Sequence, residues 1–257
     1  MPIPLADILV SLPVFALVLM RVSGLVLTAP LLGTSIAPVR IRAAFAMVLA
    51  AMMFPVIARQ APSDMGLTHA LQGAFSELVI GATIGLALNI VLSGAQVAGT
   101  VAGQQAGMAL SEVFNPLADE ETSILAQFYV AILMLVFLAI GGHRAMLAAL
   151  LDTYRAIPIL SYSPGEPIVM VLVATLSAAF VLGLRVAGPV VIALFLTEAA
   201  VGFVARTVPQ LNILSVGLAL RNLVALAVAA VSISALEPLL VDAIWDGLDI
   251  VRAWSQS

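Results

Sequence analysis

The longest uncharged stretch of this sequence runs from Leu78 to Leu110. At about 1.5 Å per residue it would reach roughly 50 Å as a helix, against a hydrocarbon core of ~30 Å. Such a segment must protrude from a bilayer, bend or break. A soluble domain has no use for so long an apolar element, and the rest of the chain has the same character. Hydrophobic residues make up 63% of the 257 positions and charged residues only 9%, against roughly 45–50% and ~25% in soluble domains. The chain reads as an integral membrane protein. Its length supplies roughly five to seven helices of about 20 residues, enough for one compact bundle. One domain covering 1–257 is expected, with an all-α fold: a polytopic helical bundle with kinked helices.

The rarer residues exclude several chemistries. There is no Lys, so neither a P-loop nor a Schiff-base enzyme is available. There is no Cys, so disulfides, thiolate nucleophiles and Cys-ligated metals are excluded. A net charge of −4 gives no broad basic surface, and no nucleic acid partner is expected. His69 and His143 stand alone, without a second ligand at helical spacing, and suit interfacial hydrogen bonds. No Ser, His and acid pattern stands out. No enzyme, metal or cofactor is implied. The segment from Met1 to Met20 lacks a basic start and a small-residue cleavage site, so it reads as a retained helix.

Apolar runs cover Leu5 to Met20, interrupted by Arg21 and resuming to Leu32; Ala43 to Ala58; the long stretch above; and Thr122 to Gly142, the cleanest spanning candidate. The segment from His143 to Pro167 mixes charges with three prolines and reads as a connector, with a turn between Pro158 and Pro164. From Ile168 to Leu240 the interruptions suggest two or three kinked helices. The tail from Asp242 is amphipathic, with Asp242, Asp246 and Asp249 opposing Ile244, Trp245, Leu248 and Ile250. The arginines of successive loops show too small a bias to orient the spans.

Four features carry functional content. Ala205 to Ile213 places Arg206, Pro209, Gln210 and Asn212 in an apolar region, where a charge costs from roughly 3 kcal/mol upward and a proline frees backbone groups. Protein or water must surround it. Arg21, Glu77, Arg185, Glu198 and Arg221 interrupt apolar runs in the same way, and buried ion pairing is expected for them, with each finding a carboxylate, a carbonyl, a partner subunit or water; structural pairing outweighs a proton relay, because arginine holds its proton. Small residues recur at Ala95, Gly99, Gly103 and Gly107, and at Gly81 and Gly85, a spacing that admits a second helix backbone. Packing inside the chain would explain that stripe, whereas its combination with Gln96, Thr100, Gln104 and Gln105 favours an assembly face or a wet channel wall. Finally, Gly107 to Pro116 passes from small residues through Met108, Leu110, Val113 and Phe114 into a turn at Asn115 and Pro116. That is the composition of a deformable apolar constriction, or of a surface loop.

Together the residues resemble the FliR family, called SctT in injectisomes, of the type III secretion export gate. The likeness is carried by Arg21 Val22 Ser23 Gly24 with Ala29 Pro30 Leu31 Leu32 Gly33 and Pro38; by Glu77 with Gly81 and Gly85; by Gly142 His143 and Leu150 Leu151 Asp152; and by Ala205 to Ile213 with Gly217. The resemblance implies a subunit that assembles with FliP-like and FliQ-like membrane subunits into a closed helical gate for unfolded export substrates. One FliR copy would complete the ring and look like a fusion of the two partner folds. It further implies FlhB-like and FlhA-like neighbours and a multi-pass place in the bacterial inner membrane at the flagellar basal body. On the same resemblance, Gly107 to Pro116 becomes the plug, sealed by Met108, Leu110, Val113 and Phe114. Gly99, Gly103, Gln104, Arg206, Pro209, Gln210 and Asn212 become inter-subunit or channel-lining positions. The chain departs from the family pattern in having Leu110 and Val113 where a more aromatic loop is expected. An injectisome subunit is the alternative within the resemblance, and a secondary transporter of a small solute is the alternative from another class.

Overall fold

A computed structural model describes residues 5–30, 33, 38–58, 67–108, 124–161, 166–207 and 213–256. Among them are seven helices and no strand: α1 Leu5–Thr28, α2 Val39–Ile57, α3 Leu67–Ala106, α4 Ile124–Ala139, α5 Gly142–Ala156, α6 Glu166–Thr207 and α7 Ile213–Gln256. In a medium without water every backbone polar group must be satisfied within the chain, and helices do this segment by segment. Among the described residues, four helical segments are long and apolar enough to cross a membrane: Val39–Ile57, Gly73–Ala106, Pro167–Thr207 and Val216–Ile233. The fold is that of an all-α polytopic membrane protein.

The long uncharged stretch is helical as far as Ala106 and breaks at Gly107. Most of it lies in the 40-residue helix α3, which extends well beyond one bilayer core. The run expected to be the cleanest span behaves differently. α4 stops at Ala139, Gly141 takes a left-handed φ of 75°, and α5 begins afresh at Gly142. Only glycine adopts that conformation without a steric cost, which is why the run ends there. The expected connector after His143 is therefore a correction, because most of it is α5. Gly142, Met146, Ala149, Leu150, Thr153 and Tyr154 recur at helical spacing and are all buried. Charges at Arg144 and Arg155 on the outer face had obscured that periodicity. The C-terminal third forms two long helices, α6 and α7. At the end of α7 the buried stripe is Leu240, Ile244, Leu248, Val251 and Trp254, with Trp245 37% exposed, so the apolar face is rotated from the expected one.

The described residues gather into two compact units. The first holds α1, α2, α3 up to Ile90, α5 and the turn after it, α6 up to Leu176, and α7 from Trp245. Its core includes Leu17, Val18, Val22, Leu25, Ile80, Ile84, Leu88 and Leu150, all essentially inaccessible. α1 and α3 meet backbone to backbone. A β-carbon on Gly24 would strike the Leu78 carbonyl, one on Gly81 the Arg21 carbonyl, and one on Gly85 would stand 2.8 Å from the Leu25 carbonyl oxygen. Thr28 uses this proximity, its hydroxyl donating to the Ala82 carbonyl at 3.0 Å. Phe15 of α1 meets Phe54 of α2 edge to face, with ring centroids 5.6 Å apart.

The second unit holds α3 from Val91, α4, α6 from Ser177 and α7 up to Ile244. Glycine again sets the spacing. Gly94 lies against the backbone of Ala179, a β-carbon on Gly183 would stand 3.0 Å from the Gly94 oxygen, and Gly99 lies against the backbone of Leu125 and Ala126. Close approach maximises dispersion contact where lipid removes the hydrophobic drive between helices.

These contacts give a paired expectation. Gly81→Ala would force the α1 and α3 backbones apart, at a cost near the upper end of the ~1–3 kcal/mol typical of overpacking. Gly188→Ala, where nothing lies within 4 Å, should be neutral or stabilise by up to about 1 kcal/mol through helix propensity. Melting midpoints of the two detergent-extracted variants check this; equal midpoints would disprove the tight α1–α3 crossing.

Candidate functional site

Arg21 is the largest fully buried side chain of the described residues, at 0% exposure, and the first unit is built around its needs. A guanidinium carries five N–H donors in a fixed plane and no acceptor. Its Nε donates to Glu77 Oε2 of α3 at 2.6 Å, and one terminal nitrogen donates to the Ile157 carbonyl at 3.1 Å. The other terminal nitrogen reaches the Thr153 hydroxyl at a long 3.5 Å. Thr153 in turn donates to the Leu150 carbonyl at 2.7 Å. Beneath the guanidinium plane lies the Tyr154 ring, 4.1 Å from the centroid, and the Tyr154 hydroxyl donates back to the Val18 carbonyl of α1 at 3.2 Å. The cation therefore has a carboxylate, a carbonyl, a hydroxyl and a π face. Its place beyond the C-terminal end of α5, where carbonyls lack helical donors, suits a positive charge.

Glu77, 1% exposed, is held from both oxygens. Its Oε1 accepts the backbone N–H of Leu160 at 3.2 Å. Leu160 has a φ of 67°, a conformation that costs a bulky L-residue about 1–3 kcal/mol. Two contacts hold it there: the bond to Glu77, and the space above Gly73, which a β-carbon would take from the Leu160 side chain. One ion pair thus connects α1, α3, α5 and the turn that follows α5.

The other ionic residues singled out in the sequence are placed differently. Glu198 and Arg221 pair at 2.8 Å between α6 and α7, but at 62% and 30% exposure they do not form a buried pair within this chain. Arg185 lies exposed on α6, because Leu182, Val186 and Val190 occupy the buried face, and it has no ion pair among the described residues. Within this chain and among the described residues, Arg185 has no ion pair and Glu198 and Arg221 are only partly covered. His143 keeps a buried Nδ1 without a hydrogen-bond partner among the described residues.

The α3 stripe divides by face. Gly99 and Gly103 are buried, with Gly99 against α4. Gly99 is thus used for packing inside the chain. Gln96, Gln104 and Gln105 are exposed and Thr100 is half-buried, so the amides form the outward face. α3 ends in a defined cap. The Gly107 N–H donates to the Gln104 carbonyl and the Met108 N–H to the Gly103 carbonyl, both at 3.0 Å, with Gly107 at a φ of 85°. This is the paired-bond helix stop that needs a left-handed residue after the last turn. Gly107 therefore terminates α3. Leu110, Val113, Phe114, Asn115 and Pro116 lie outside the described residues, as do Pro209, Gln210 and Asn212. Arg206 is exposed in the last turn of α6, where a cation complements the helix dipole.

A family model described as bacterial export proteins, family 1, matches residues 12–246. The chain belongs to this family. Its match covers both compact units and reaches from α1 into the last helix. Among curated relatives, the flagellar biosynthetic protein FliR of Bacillus subtilis (strain 168) is 30% identical over 225 residues, covering 86% of each chain. That of Caulobacter vibrioides is 28% identical over 241 residues, covering 92% of this chain and 95% of its own. The Yop proteins translocation protein T of Yersinia pestis is 25% identical over 179 residues, covering 69% of each.

Arg21 and Glu77 were legible as charges in need of partners, whereas Thr153, Tyr154, Ile157 and Leu160 were missed. The signal that would have found them is the apolar period of α5, which brings Thr153, Tyr154 and Ile157 onto one face. Breaking the pair should be costly: Arg21→Met leaves Glu77 buried and uncompensated, at about 3–5 kcal/mol. The double variant Arg21→Met/Glu77→Leu should recover much of that loss, and Arg21→Lys should recover little, because an ammonium on a flexible stem cannot present the planar fork. Steady-state levels and melting midpoints of the three variants check this. A double variant no more stable than Arg21→Met would show that the two residues are not coupled.

Proposed function

We propose that this chain is the FliR-like subunit of a flagellar type III export gate, assembling with FliP-like and FliQ-like membrane subunits around a passage for unfolded export substrates. The observation that carries this reading is the extent of the similarity: the flagellar relatives match along most of their own length as well as of this chain. The injectisome reading is supported by Yersinia relatives, which match over a smaller share than the two flagellar proteins above. The flagellar reading is therefore preferred. On it, the protein lies in the bacterial inner membrane at the flagellar basal body, beside FlhB-like and FlhA-like proteins.

The outer surface of the helices supports an assembled state. A charge facing hydrocarbon costs from roughly 3 kcal/mol upward, yet α6 exposes Arg185 and Arg206, and α3 exposes three glutamines. In a gate these groups meet other subunits or water. The outward face of α3, with Gln96, Gln104 and Gln105 interleaved with Val97 and Val101, is suited to a wet wall along which an extended chain slides without a fixed binding site. Beyond the Gly107 stop, the apolar residues Met108, Leu110, Val113 and Phe114 act as a plug. Apolar constrictions exclude ions by dewetting and deform when displaced. Energy comes from the proton-motive force and from other export-apparatus proteins; arginine, the main ionic residue here, cannot relay protons.

Deleting Leu110 to Pro116 while keeping the Gly107 stop should leave assembly intact and raise ion leakage across the membrane. An unchanged conductance would remove the plug assignment. At the other end, Arg206→Ala should reduce recovery of FliP-like and FliQ-like subunits with the tagged chain from native membranes. Normal recovery would show that Arg206 serves only to cap α6.

A further inference from the structure

Three features of the outer face of α6 coincide within a single turn, and nothing else among the described residues uses them. Arg185 is exposed and has no ion pair there. Pro189 lacks an N–H, so the Arg185 carbonyl loses its regular helical donor. Gly188 has open space where a β-carbon would stand, unlike Gly183 one and a half turns earlier, which is filled by α3. A glycine inside a helix costs about 0.5–1 kcal/mol relative to alanine, and here no contact within the described residues offsets it. The surroundings are apolar on both sides, with Phe180 and Leu184 before this notch and Ile192, Phe195 and Leu196 after it, all strongly exposed.

The requirements of such a surface define its occupant. The exposed aliphatic and aromatic side chains call for an apolar helix. The empty position at Gly188 lets a helix backbone come close, and the guanidinium calls for an acid. We propose that the Arg185–Gly188–Pro189 notch receives an apolar helix of another membrane subunit that carries an Asp or Glu at the level of Arg185, with a hydroxyl or amide donor beside it for the freed Arg185 carbonyl. The inference rests on the gate reading above and deepens it by assigning one contact surface and its chemistry. On the gate reading the neighbouring helix belongs to a different subunit; a second copy, which could offer the exposed Glu237, Asp242 or Asp246 of α7, is an outcome the test separates.

The test places a photo-crosslinking residue at position 192, one turn beyond Gly188, in the tagged full-length chain expressed with its native export subunits. The expected adduct joins it to an apolar segment of a different membrane protein, with an Asp or Glu within one turn of the attachment point. Arg185→Gln and Gly188→Leu should each lower recovery of that protein at least roughly tenfold, as for other desolvated charge pairs and filled contacts. Neutralising the identified acid in the Arg185→Gln background should cause no further loss. An adduct to lipid only, to a second copy or to a residue of the same chain would overturn the proposal, as would additive losses or the lack of any adduct. Recovery of export subunits with the unsubstituted chain is scored in the same preparation. If they are absent, the gate reading fails; if they are present while the position-192 adduct is wrong, only the notch assignment fails.

Discussion

An arginine cannot be left alone in a dry interior, and the first unit of this protein is organised by that constraint. Three separate segments satisfy Arg21: Glu77 from α3, Thr153 and Tyr154 from α5, and the Ile157 carbonyl just past α5. A purely apolar contact tolerates sliding, whereas a planar fork accepts few geometries. The pair thus fixes the rotation of α1 against α3, and the glycine contacts at Gly24, Gly81 and Gly85 fix their separation. The two devices are complementary, since close backbone approach also dries the ion pair and strengthens it. Glu77 carries the constraint onward by holding Leu160 in a left-handed conformation that a leucine would otherwise avoid.

The second unit has no comparable buried charge among the described residues. Its helices meet through Gly94, Ala179, Gly183 and Gly99, while its ionic groups point outward: Glu198 and Arg221 as a partly exposed pair, and Arg185 with no ion pair. The contrast makes physical sense for a subunit of a larger assembly. Charges satisfied within the chain are buried in it, and on the proposed gate reading the charges on its apolar outer helices are left for neighbouring subunits. The same logic separates the two faces of α3, whose glycines pack inward and whose amides face outward.

Much of this was legible from residue types alone. Arg21 and Glu77 interrupt apolar runs, and the high cost of an uncompensated charge there announces buried partners. The repeat at Gly81 and Gly85 announces a close helix contact. The helix stop at Gly107 and the break at Gly141 were not expected, although both stand at glycines, the residues that adopt a left-handed backbone at least cost. Less legible was α5, where the charges of Arg144 and Arg155 interrupt the apolar period, and where the essential acceptor, the Ile157 carbonyl, belongs to the backbone and so leaves no mark in side-chain chemistry.

The sequence by itself determined the class of protein, the extent of its apolar helices, the chemistries it lacks, and which residues are too polar to face lipid, because each follows from local composition and transfer cost. The tertiary structure decided which polar residue meets which. Arg21, Arg185 and Arg221 look alike as interruptions of apolar runs, yet one is buried among four partners, one is exposed and one is half-covered by Glu198. That outcome depends on the rotation of each helix about its axis. Rotation is set by contacts between segments as much as 136 residues apart, and no local pattern contains them.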